Sequence, residues 1–377
     1  MADHVVALLK DLVAIDSVNP SLVSGAAGEA NIAAAIAAHM RALGLDVETQ
    51  EVAPGRPNVI GVLEGTQPGR TLMLCGHIDT VGVDGMRAPF DPVVRDGLLY
   101  GRGSQDMKGG VAAMIDAARV ARDRGFRKGR LIIAAVVDEE YESLGADALV
   151  TGWTADAGIV TEPTDLQIGV GHKGFVWAEI ETRGRAAHGS RPTEGRDAIV
   201  RMGRVLQRLE ALDRSLQARP AHPIMSTGSL HASTIEGGRE LSSYPDWCRL
   251  QVERRTVMGE TAEGFAREIE AIIADIRAED AGFEASSRLM FARPPYEVPA
   301  TSDLPAALAA AVRSTGTDTR TTGMSFWTDA AILGGAGIAS VLFGPGGAGL
   351  HSTEEYVRVD DVRACRDALA SLALTWL

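Results

Sequence analysis

Apolar residues repeat along the first half of the chain with two different periods. The stretch 29–43 carries them at helical spacing, whereas 58–65, 71–79 and 130–140 contain short and nearly continuous apolar runs. Helical spacing predicts amphipathic helices, and short continuous runs predict strands that are buried on both faces. Their alternation predicts an α/β domain in which a mostly parallel sheet is covered by helices.

The pattern changes near residue 175. Residues 174–188 alternate between apolar and polar, which is typical of a half-exposed strand, and a long helix, two strands and another helix follow. This β-α-β-β-α-β outline predicts a compact α+β unit. We therefore expect a discontinuous α/β domain of residues 1–174 and 291–377, with a smaller α+β domain of residues 175–290 inserted into it.

Charge and composition exclude several classes of function. The 377 residues include 37 Lys and Arg against 50 Asp and Glu, for a net charge of -13, so a nucleic-acid partner is not expected. No apolar run approaches the ~20 residues of a membrane span. The first twenty residues lack the pattern of a secretion signal, which predicts a cytoplasmic protein with no membrane partner. The three cysteines lack C-x-x-C spacing, so neither a disulfide framework nor a thiolate zinc site is expected.

One glycine-rich stretch matches a nucleotide-binding pattern. Residues 169–174, GVGHKG, fit G-x-G-x-x-G. A dinucleotide site needs a helix directly after these glycines, but a strand pattern follows here. A hinge between two domains is therefore the preferred interpretation. Neither a G-x-S-x-G nucleophile motif nor a P-loop occurs in the sequence.

Polar side chains follow the predicted strands at the points where they end. His77 and Asp79 close the strand 71–79, and open α/β sheets collect their chemistry at such carboxyl ends. Other strand ends or neighbouring loops carry further acids and a second histidine: Asp106, Asp138, Glu139, Glu140, Glu162 and His351. Crowded carboxylates must take up protons or surround a cation, and imidazoles among them favour Zn²⁺, Co²⁺ or Mn²⁺. Asp79 is placed to accept the second ring N–H of His77.

Each of these residues has an ordinary structural explanation when it is taken alone. Glu139 and Glu140 fit a solvated strand end, and Asp106 fits an N-cap for a helix that starts at Met107. Glu162 fits a surface turn, and His351 fits a packed or capping side chain. Their joint placement at successive strand ends favours a metal site.

The order of motifs resembles a known family. GHIDTV, GRGSQDMKGG, VVDEEYESLGA, TEPT, RGRAAHGSRPTEGRDAI, ERRTVMGE and FGPGGAGLHSTEEYV occur in sequence between about residues 10 and 375. They are similar to the M20 metallopeptidases, and most of all to the acetylornithine deacetylase and succinyl-diaminopimelate desuccinylase-like members. The resemblance implies a zinc-peptidase-like catalytic domain with an inserted dimerisation and lid domain.

The resemblance also implies a two-metal site. Asp106 would bridge two divalent cations, most simply Zn²⁺, with Co²⁺ or Mn²⁺ as alternatives. The other ligands would be His77 and Glu162 for one cation, and Glu140 and His351 for the second. Glu139 matches the general base, and Asp79 matches the acid behind the first histidine. Adjacent side chains at a strand end diverge, which leaves Glu139 free to take a proton from water.

The inserted domain carries further implied roles. His188 matches a histidine that reaches a neighbouring subunit's active site, and Arg255 matches an arginine that binds a substrate carboxylate; both imply a homodimer. Arg255 also fits a structural ion pair. Two departures concern the substrate side of the insert, because Ser242 replaces a usual Asn and Met258 replaces a usual Pro.

These features predict a metal-dependent hydrolase that cleaves the amide bond of a small N-acyl amino acid, of the deacetylase or desuccinylase type. A dipeptidase or carboxypeptidase acting on short peptides is the alternative within the same family. A catalytically inactive binding protein on this fold is a weaker hypothesis, because every implied ligand and the base are present.

Overall fold

The structure is a computed structural model that describes residues 3–377, and the described chain divides into two compact units. Among the described residues, the first unit comprises residues 3–170, Val298–Thr322 and Thr328–Leu377, and the second comprises Gly171–Glu297 and Gly323–Trp327. The helices are α1 His4–Val13, α2 Ala30–Ala42, α3 Gly109–Asp123, α4 Leu144–Gly152, α5 Ala198–Gln217, α6 Ala262–Glu279, α7 Leu304–Ser314, α8 Ala330–Gly335 and α9 Val359–Trp376. The strands are β1 Asp46–Ala53, β2 Arg56–Glu64, β3 Gln67–His77, β4 Val93–Arg95, β5 Leu98–Tyr100, β6 Lys128–Val136, β7 Ala157–Val160, β8 Ile168–His172, β9 Gly174–Arg183, β10 Ser229–Gly237, β11 Trp247–Thr256, β12 Glu284–Arg293, β13 Tyr296–Glu297, β14 Thr321–Met324, β15 Ala339–Leu342, β16 Gly347–Ala348 and β17 Tyr356–Arg358.

The largest sheet has the strand order β1-β2-β6-β3-β7-β15-β8-β13, and β14 also pairs with β8. Its middle strands β6, β3, β7 and β15 are parallel, and the pairs nearer the edges are antiparallel. Residues 131–136 and 157–160 are fully buried, as strands covered on both faces must be. The expected α/β fold, parallel at the centre of its sheet, is confirmed.

Helices of the first unit bury the apolar faces of this sheet. Helix α3 packs against α1 and α9, α7 packs against α9, and α2 packs against β2. Their apolar residues join those of the middle strands in one hydrophobic core. Because β6, β3 and β7 are adjacent and parallel, their carboxyl ends lie side by side at one edge of the sheet.

The second unit contains an antiparallel sheet in the order β10-β11-β9-β12, with α5 and α6 packed on it. Strand β11 alternates between buried and partly exposed residues along its whole length, so one face of the sheet meets the helices. Asp197 caps α5 by accepting the N–H of Val200, and Thr261 caps α6 by accepting the N–H of Gly264. The chain order β9-α5-β10-β11-α6-β12 confirms the predicted β-α-β-β-α-β outline.

A small antiparallel sheet in the first unit has the order β16-β17-β5-β4. Leu99 of β5 pairs with Val357 of β17, and the Tyr100 and Tyr356 rings lie 5.3 Å apart. The segment before Asp106 is thereby paired with the segment after His351, although the two are far apart in sequence.

Two of the differences from the sequence prediction have a clear local cause. Helix α3 begins at Gly109 rather than at Met107, because Ser104–Lys108 form a wide turn in which Asp106 and Met107 have non-helical backbone angles. Strand β1 was not predicted, since its residues are mostly polar and it lies at the sheet edge. None of the helices within residues 3–377 is long and apolar enough to cross a membrane.

Candidate metal centre

Three neighbouring parallel strands carry most of the candidate ligands. His77 is the last residue of β3, Glu139 and Glu140 follow β6, and Glu162 follows β7. The side chains of His77, Glu139 and Glu140 are 1%, 12% and 5% exposed, and Glu162 is also buried. The sheet order therefore places an imidazole and these acids together in a largely buried site.

Asp106 lies between the two candidate histidines. Its Oδ1 is 3.2 Å from Nε2 of His77, and its Oδ2 is 3.2 Å from Nε2 of His351. Nε2 of His351 is also 3.1 Å from Oε2 of Glu140. A carboxylate whose two oxygens face different imidazoles has the arrangement that a bridging ligand requires.

Ligand atoms gather into two groups that share His77. Within each group the atoms lie within 4.8 Å of one another: one group joins His77, Glu139 and Glu162, and the other joins His77, Asp106 and Glu140. The neighbouring glutamates fall into different groups, as expected for adjacent side chains that diverge. Because Glu139 belongs to the first group, distance alone makes it a possible ligand as well as the candidate base.

Burial and mutual repulsion disfavour negative charge on the glutamates. Burial raises the pKa of Glu140 to about 7, and the nearby charge of Asp106 adds to this rise. Burial also raises the pKa of Glu139 and the pKa of Glu162 well above their ordinary range, although the neighbouring His77 opposes both rises. Carboxylates in this state are stabilised by protons or by bound cations.

The same surroundings favour the charged form of the two histidines. Hydrogen bonds to Asp106 and Glu140 raise the pKa of His351 to about 10. Burial lowers the pKa of His77, but its contacts with Asp106 and Asp79 outweigh burial, so the net shift is upward. Burial likewise opposes charge on Asp106, yet the two histidines hold its pKa well below the ordinary value. The site attracts positive charge.

The donor set fits divalent cations. Two imidazoles and several carboxylates converge here, with His77 and the glutamates largely buried and His351 54% exposed. This is the mixed nitrogen and oxygen chemistry of borderline metals. Oε1 of Glu140 is buried and has no hydrogen-bond partner among residues 3–377. An orphaned carboxylate oxygen of this kind calls for a cation.

Asp79 holds the ends of two strands together. Its Oδ1 accepts the main-chain N–H of Glu139 at 3.1 Å, and its Oδ2 accepts that of Glu140 at 3.2 Å. Nδ1 of His77 lies 3.0 Å from the main-chain oxygen of Asp79 and 3.6 Å from its carboxylate. The carbonyl is therefore the nearer acceptor for the ring, and the carboxylate mainly orders the turn after β6.

A model of peptidase family M20/M25/M40 matches residues 73–375. The chain belongs to this family. It is a metallohydrolase that acts on amide bonds.

Relatives of this M20-family protein include enzymes with different amide substrates. It is 33% identical over 349 residues to the acetylornithine deacetylase of Myxococcus xanthus, covering 88% of each chain. It is 28% identical to the N-formyl-4-amino-5-aminomethyl-2-methylpyrimidine deformylase of Halalkalibacterium halodurans, covering 99% of this chain and 94% of that protein. The YXEP protein of Bacillus subtilis, a dinuclear metal binding peptidase from the M20 family, has a TM-score of 0.75 at 17% identity, covering 99% of this chain and 98% of that one. This last likeness is one of fold.

A buried polar network behind the M20-type site was missed from the sequence. Nδ2 of Asn19 donates to Asp79 at 2.8 Å and to Asp138 at 3.1 Å. Nη2 of Arg56 lies 2.7 Å from Asp138, and its guanidinium also contacts both oxygens of Glu29. Asp138 precedes Glu139 directly, so the network supports the turn that carries the candidate base.

Two further acids near the site were also missed. Asp329 lies close enough for its charge to contribute to the raised pKa of Glu139 and of Glu162. Glu355 contacts the turn that carries Asp106. Neither acid follows a predicted strand directly, so the strand-end criterion did not select them.

His188, Ser242 and Arg255 lie in the second unit. His188 is exposed and forms a β-bridge with Ser243, and the N–H of Gly189 donates to the main-chain oxygen of Ser242 at 2.7 Å. The structure thus brings the segments of His188 and Ser242 together.

Arg255 takes part in local contacts of the second unit. Its Nε donates to Glu253 at 2.6 Å, and its guanidinium lies 5.6 Å from the centre of the Phe175 ring. The ion pair that was considered for this residue is therefore present. Its side chain is 32% exposed, which leaves part of the guanidinium accessible.

Proposed function

We propose that this M20-family protein is a deacylase that hydrolyses the amide bond of a small N-acyl amino acid. The observation that carries the proposal is the position of Asp106 between His77 and His351, with buried glutamates on both sides. The substrate class is supported by the acetylornithine deacetylase of Myxococcus xanthus, which is 33% identical over 88% of this chain.

The donor set would hold two divalent cations, with Zn²⁺ as the first choice and Co²⁺ or Mn²⁺ as alternatives. Asp106 would be shared, with His77 and Glu162 on one side and Glu140 and His351 on the other. When bound, the cations supply Lewis acidity that makes a water nucleophilic near neutral pH and polarises a carbonyl. The YXEP protein, which shares the fold, is itself a dinuclear metal binding peptidase.

Glu139 is the proposed general base. Its carboxylate is 12% exposed and lies 4.0 Å from Nε2 of His77, so it borders the ligand cluster while keeping access to a water. It would take the proton of the attacking water and deliver it to the leaving amine. Asp79 would keep it in place through the main-chain bond to Glu139.

Roles for the second unit complete the proposal. We assign residues 175–290 as a dimerisation and lid domain, in which His188 of the partner subunit stabilises the oxyanion and Arg255 binds the substrate carboxylate. The exposed position of His188 and the partial exposure of Arg255 support these assignments. Ser242, next to the His188 segment, would contribute to substrate binding. The cytoplasmic location stays a prediction.

A substrate panel tests the proposal. The purified full chain is assayed with N-acetyl, N-succinyl and N-formyl amino acids and with dipeptides, each in the presence of Zn²⁺, Co²⁺ or Mn²⁺. We expect hydrolysis of an N-acyl amino acid to have the highest kcat/KM. Preference for dipeptides would favour the peptidase alternative, and absence of both bound metal and hydrolysis would favour a binding protein.

The subunit arrangement has its own test. His188→Ala and Glu139→Gln each inactivate a different part of the site if His188 acts across subunits. Mixing the two inactive variants under subunit exchange should then restore part of the activity, because some dimers contain one complete site. A mixture that stays inactive, or a protein that sediments as a monomer, contradicts the arrangement.

A further inference from the structure

Glu355 is a buried acid that has no role in the proposed chemistry. It follows His351 on the same loop, and its side chain is 0% exposed. Its neighbour Glu354 is exposed. A fully buried carboxylate is costly unless hydrogen bonds or charges compensate it, so its partners indicate what it does.

The partners of Glu355 lie in the turn that carries Asp106. Oε2 accepts from Nη1 of Arg102 at 2.7 Å and from the N–H of Gly103 at 2.9 Å. Oε1 accepts from the N–H of Gln105 at 2.9 Å and from the N–H of Asp106 at 3.1 Å. The turn therefore wraps around one carboxylate, and the last of these bonds is made by the central candidate ligand itself.

Further bonds fasten the same two segments. Nη2 of Arg102 donates to the main-chain oxygen of Ser352 at 2.9 Å. The N–H of Gly101 donates to the main-chain oxygen of Glu355 at 3.2 Å. Ser352 directly follows His351. The positions of Asp106 and His351 are thus coupled through Glu355 and Arg102 rather than through contact between the two ligands alone.

This arrangement requires a carboxylate. Both oxygens of an ionised carboxylate accept hydrogen bonds, whereas a glutamine accepts at one oxygen and presents an NH₂ group at the other position. In Glu355→Gln that NH₂ group would face donors, and the charged bond to Arg102 would be lost. The turn would shift while the overall shape of the side chain is retained.

We propose that Glu355 is a positioning residue that fixes the position of Asp106 relative to His351. Binding of the cation held by Asp106, Glu140 and His351 therefore depends on Glu355. This inference rests on the proposed two-metal function. Both cations share Asp106, but the cation on the His77 side depends on Glu355 less. Its other ligands, His77 and Glu162, lie at the ends of β3 and β7, whereas His351 lies on the same loop as Glu355.

Zinc titration of the metal-stripped full chain by calorimetry tests the proposal. We expect wild type and the matched control Glu354→Gln to bind two equivalents alike. Glu355→Gln should bind the first equivalent within about threefold of wild type and the second at least about tenfold more weakly. Added Zn²⁺ should restore its turnover, and cobalt absorption should show the same loss of the second site.

The other outcomes are decisive as well. Wild-type binding of both equivalents by Glu355→Gln overturns the inference, and so does equal weakening of both equivalents, which would indicate a general structural role. A wild-type chain that binds no metal overturns the proposed function instead. If Glu355→Gln does not fold, Arg102→Gln replaces it, with a weakened second equivalent expected and unchanged binding contradicting the proposal.

Discussion

The carboxylate of Asp79 accepts the main-chain N–H of Glu140, with 3.2 Å between Glu140 N and Asp79 Oδ2. Its other oxygen accepts the N–H of Glu139 at 3.1 Å. One acid that follows β3 therefore orders the turn after β6, in which both glutamates lie. Because these bonds are made to the main chain, Asp79 fixes the backbone from which the side chains of Glu139 and Glu140 project.

Replacing Asp79 should disturb both metal binding and turnover. In Asp79→Asn an NH₂ group would face one of the two main-chain donors, so the turn would move. We expect at least about tenfold weaker zinc binding and a lower kcat, measured by metal titration and steady-state kinetics. Asp84→Asn, on the exposed loop beyond, is the matched control. Unchanged binding and turnover in Asp79→Asn would contradict this role.

Variants of Glu139 and Glu140 should distinguish the proposed general base from a metal ligand. Glu139→Gln should retain both equivalents of metal and lose about 10²–10⁴-fold in kcat, since proton transfer is removed and the ligands are kept. Glu140→Gln should lose metal, because its carboxylate lies 3.1 Å from His351 and in a ligand group. Elemental analysis of the two variants beside kcat makes the comparison. Loss of metal in Glu139→Gln would make Glu139 a ligand.

Arg255 should affect substrate affinity more than the chemical step. Arg255→Ala removes a partly exposed guanidinium, so KM for acyl-amino acids should rise while kcat changes less. The exposed Arg288→Ala, on the same sheet, is the control. If KM does not change in Arg255→Ala, the arginine serves its ion pair with Glu253 and not the substrate.

The buried Arg56 should contribute strongly to stability. Arg56→Met leaves Glu29 and Asp138 without their positively charged partner in a buried site, so the free energy of unfolding should fall by about 3–5 kcal/mol. Adding Glu29→Gln to Arg56→Met should lessen the loss, because one uncompensated charge is removed. Urea unfolding of the single and double variants measures both effects.

A surface pair supplies the comparison for Arg56. Arg130 and Glu64 form an ion pair whose side chains are 47% and 53% exposed. Arg130→Met should lower the free energy of unfolding by less than about 1 kcal/mol. Equal losses in Arg56→Met and Arg130→Met would show that the buried network is not strongly coupled.

His172 should make the second unit sensitive to acid. It is fully buried beside the rings of Tyr296 and Trp327, and burial lowers its pKa from 6.5 to about 4. Between these values the unfolded chain binds more protons than the folded chain, so the free energy of unfolding falls as the pH falls. The stabilisation is complete above about pH 6.5 and is lost towards pH 4, with a size on the order of 3 kcal/mol.

Two variants isolate the contribution of His172. His172→Leu should show a shallower decline of the free energy of unfolding between pH 6.5 and 4, because its titrating group is gone. His231→Leu, at an exposed position, should keep the wild-type decline. A wild-type decline in His172→Leu would assign the acid sensitivity to other groups.

The sequence by itself determined where the strands end and which polar residues follow them. The apolar runs that stop near His77, Glu139 and Glu162 mark strand ends. Such an end is visible in the sequence without knowledge of the adjacent strands, because it depends only on which residues of the run are apolar. The same reasoning gave the β-α-β-β-α-β order of the second unit. Motif order then identified the family, which the match over residues 73–375 confirmed.

The tertiary structure alone decided how these acids are partnered. Glu355 meets Asp106 across 249 residues of sequence, and Asn19 meets Asp138 across 119. The periodicity of apolar residues indicates which face of a strand is buried. It gives no information about which strand is adjacent or in which register the two strands pair. Pairing between distant polar groups depends on sheet order and register, so the network that positions the ligands emerged only when the chain was folded.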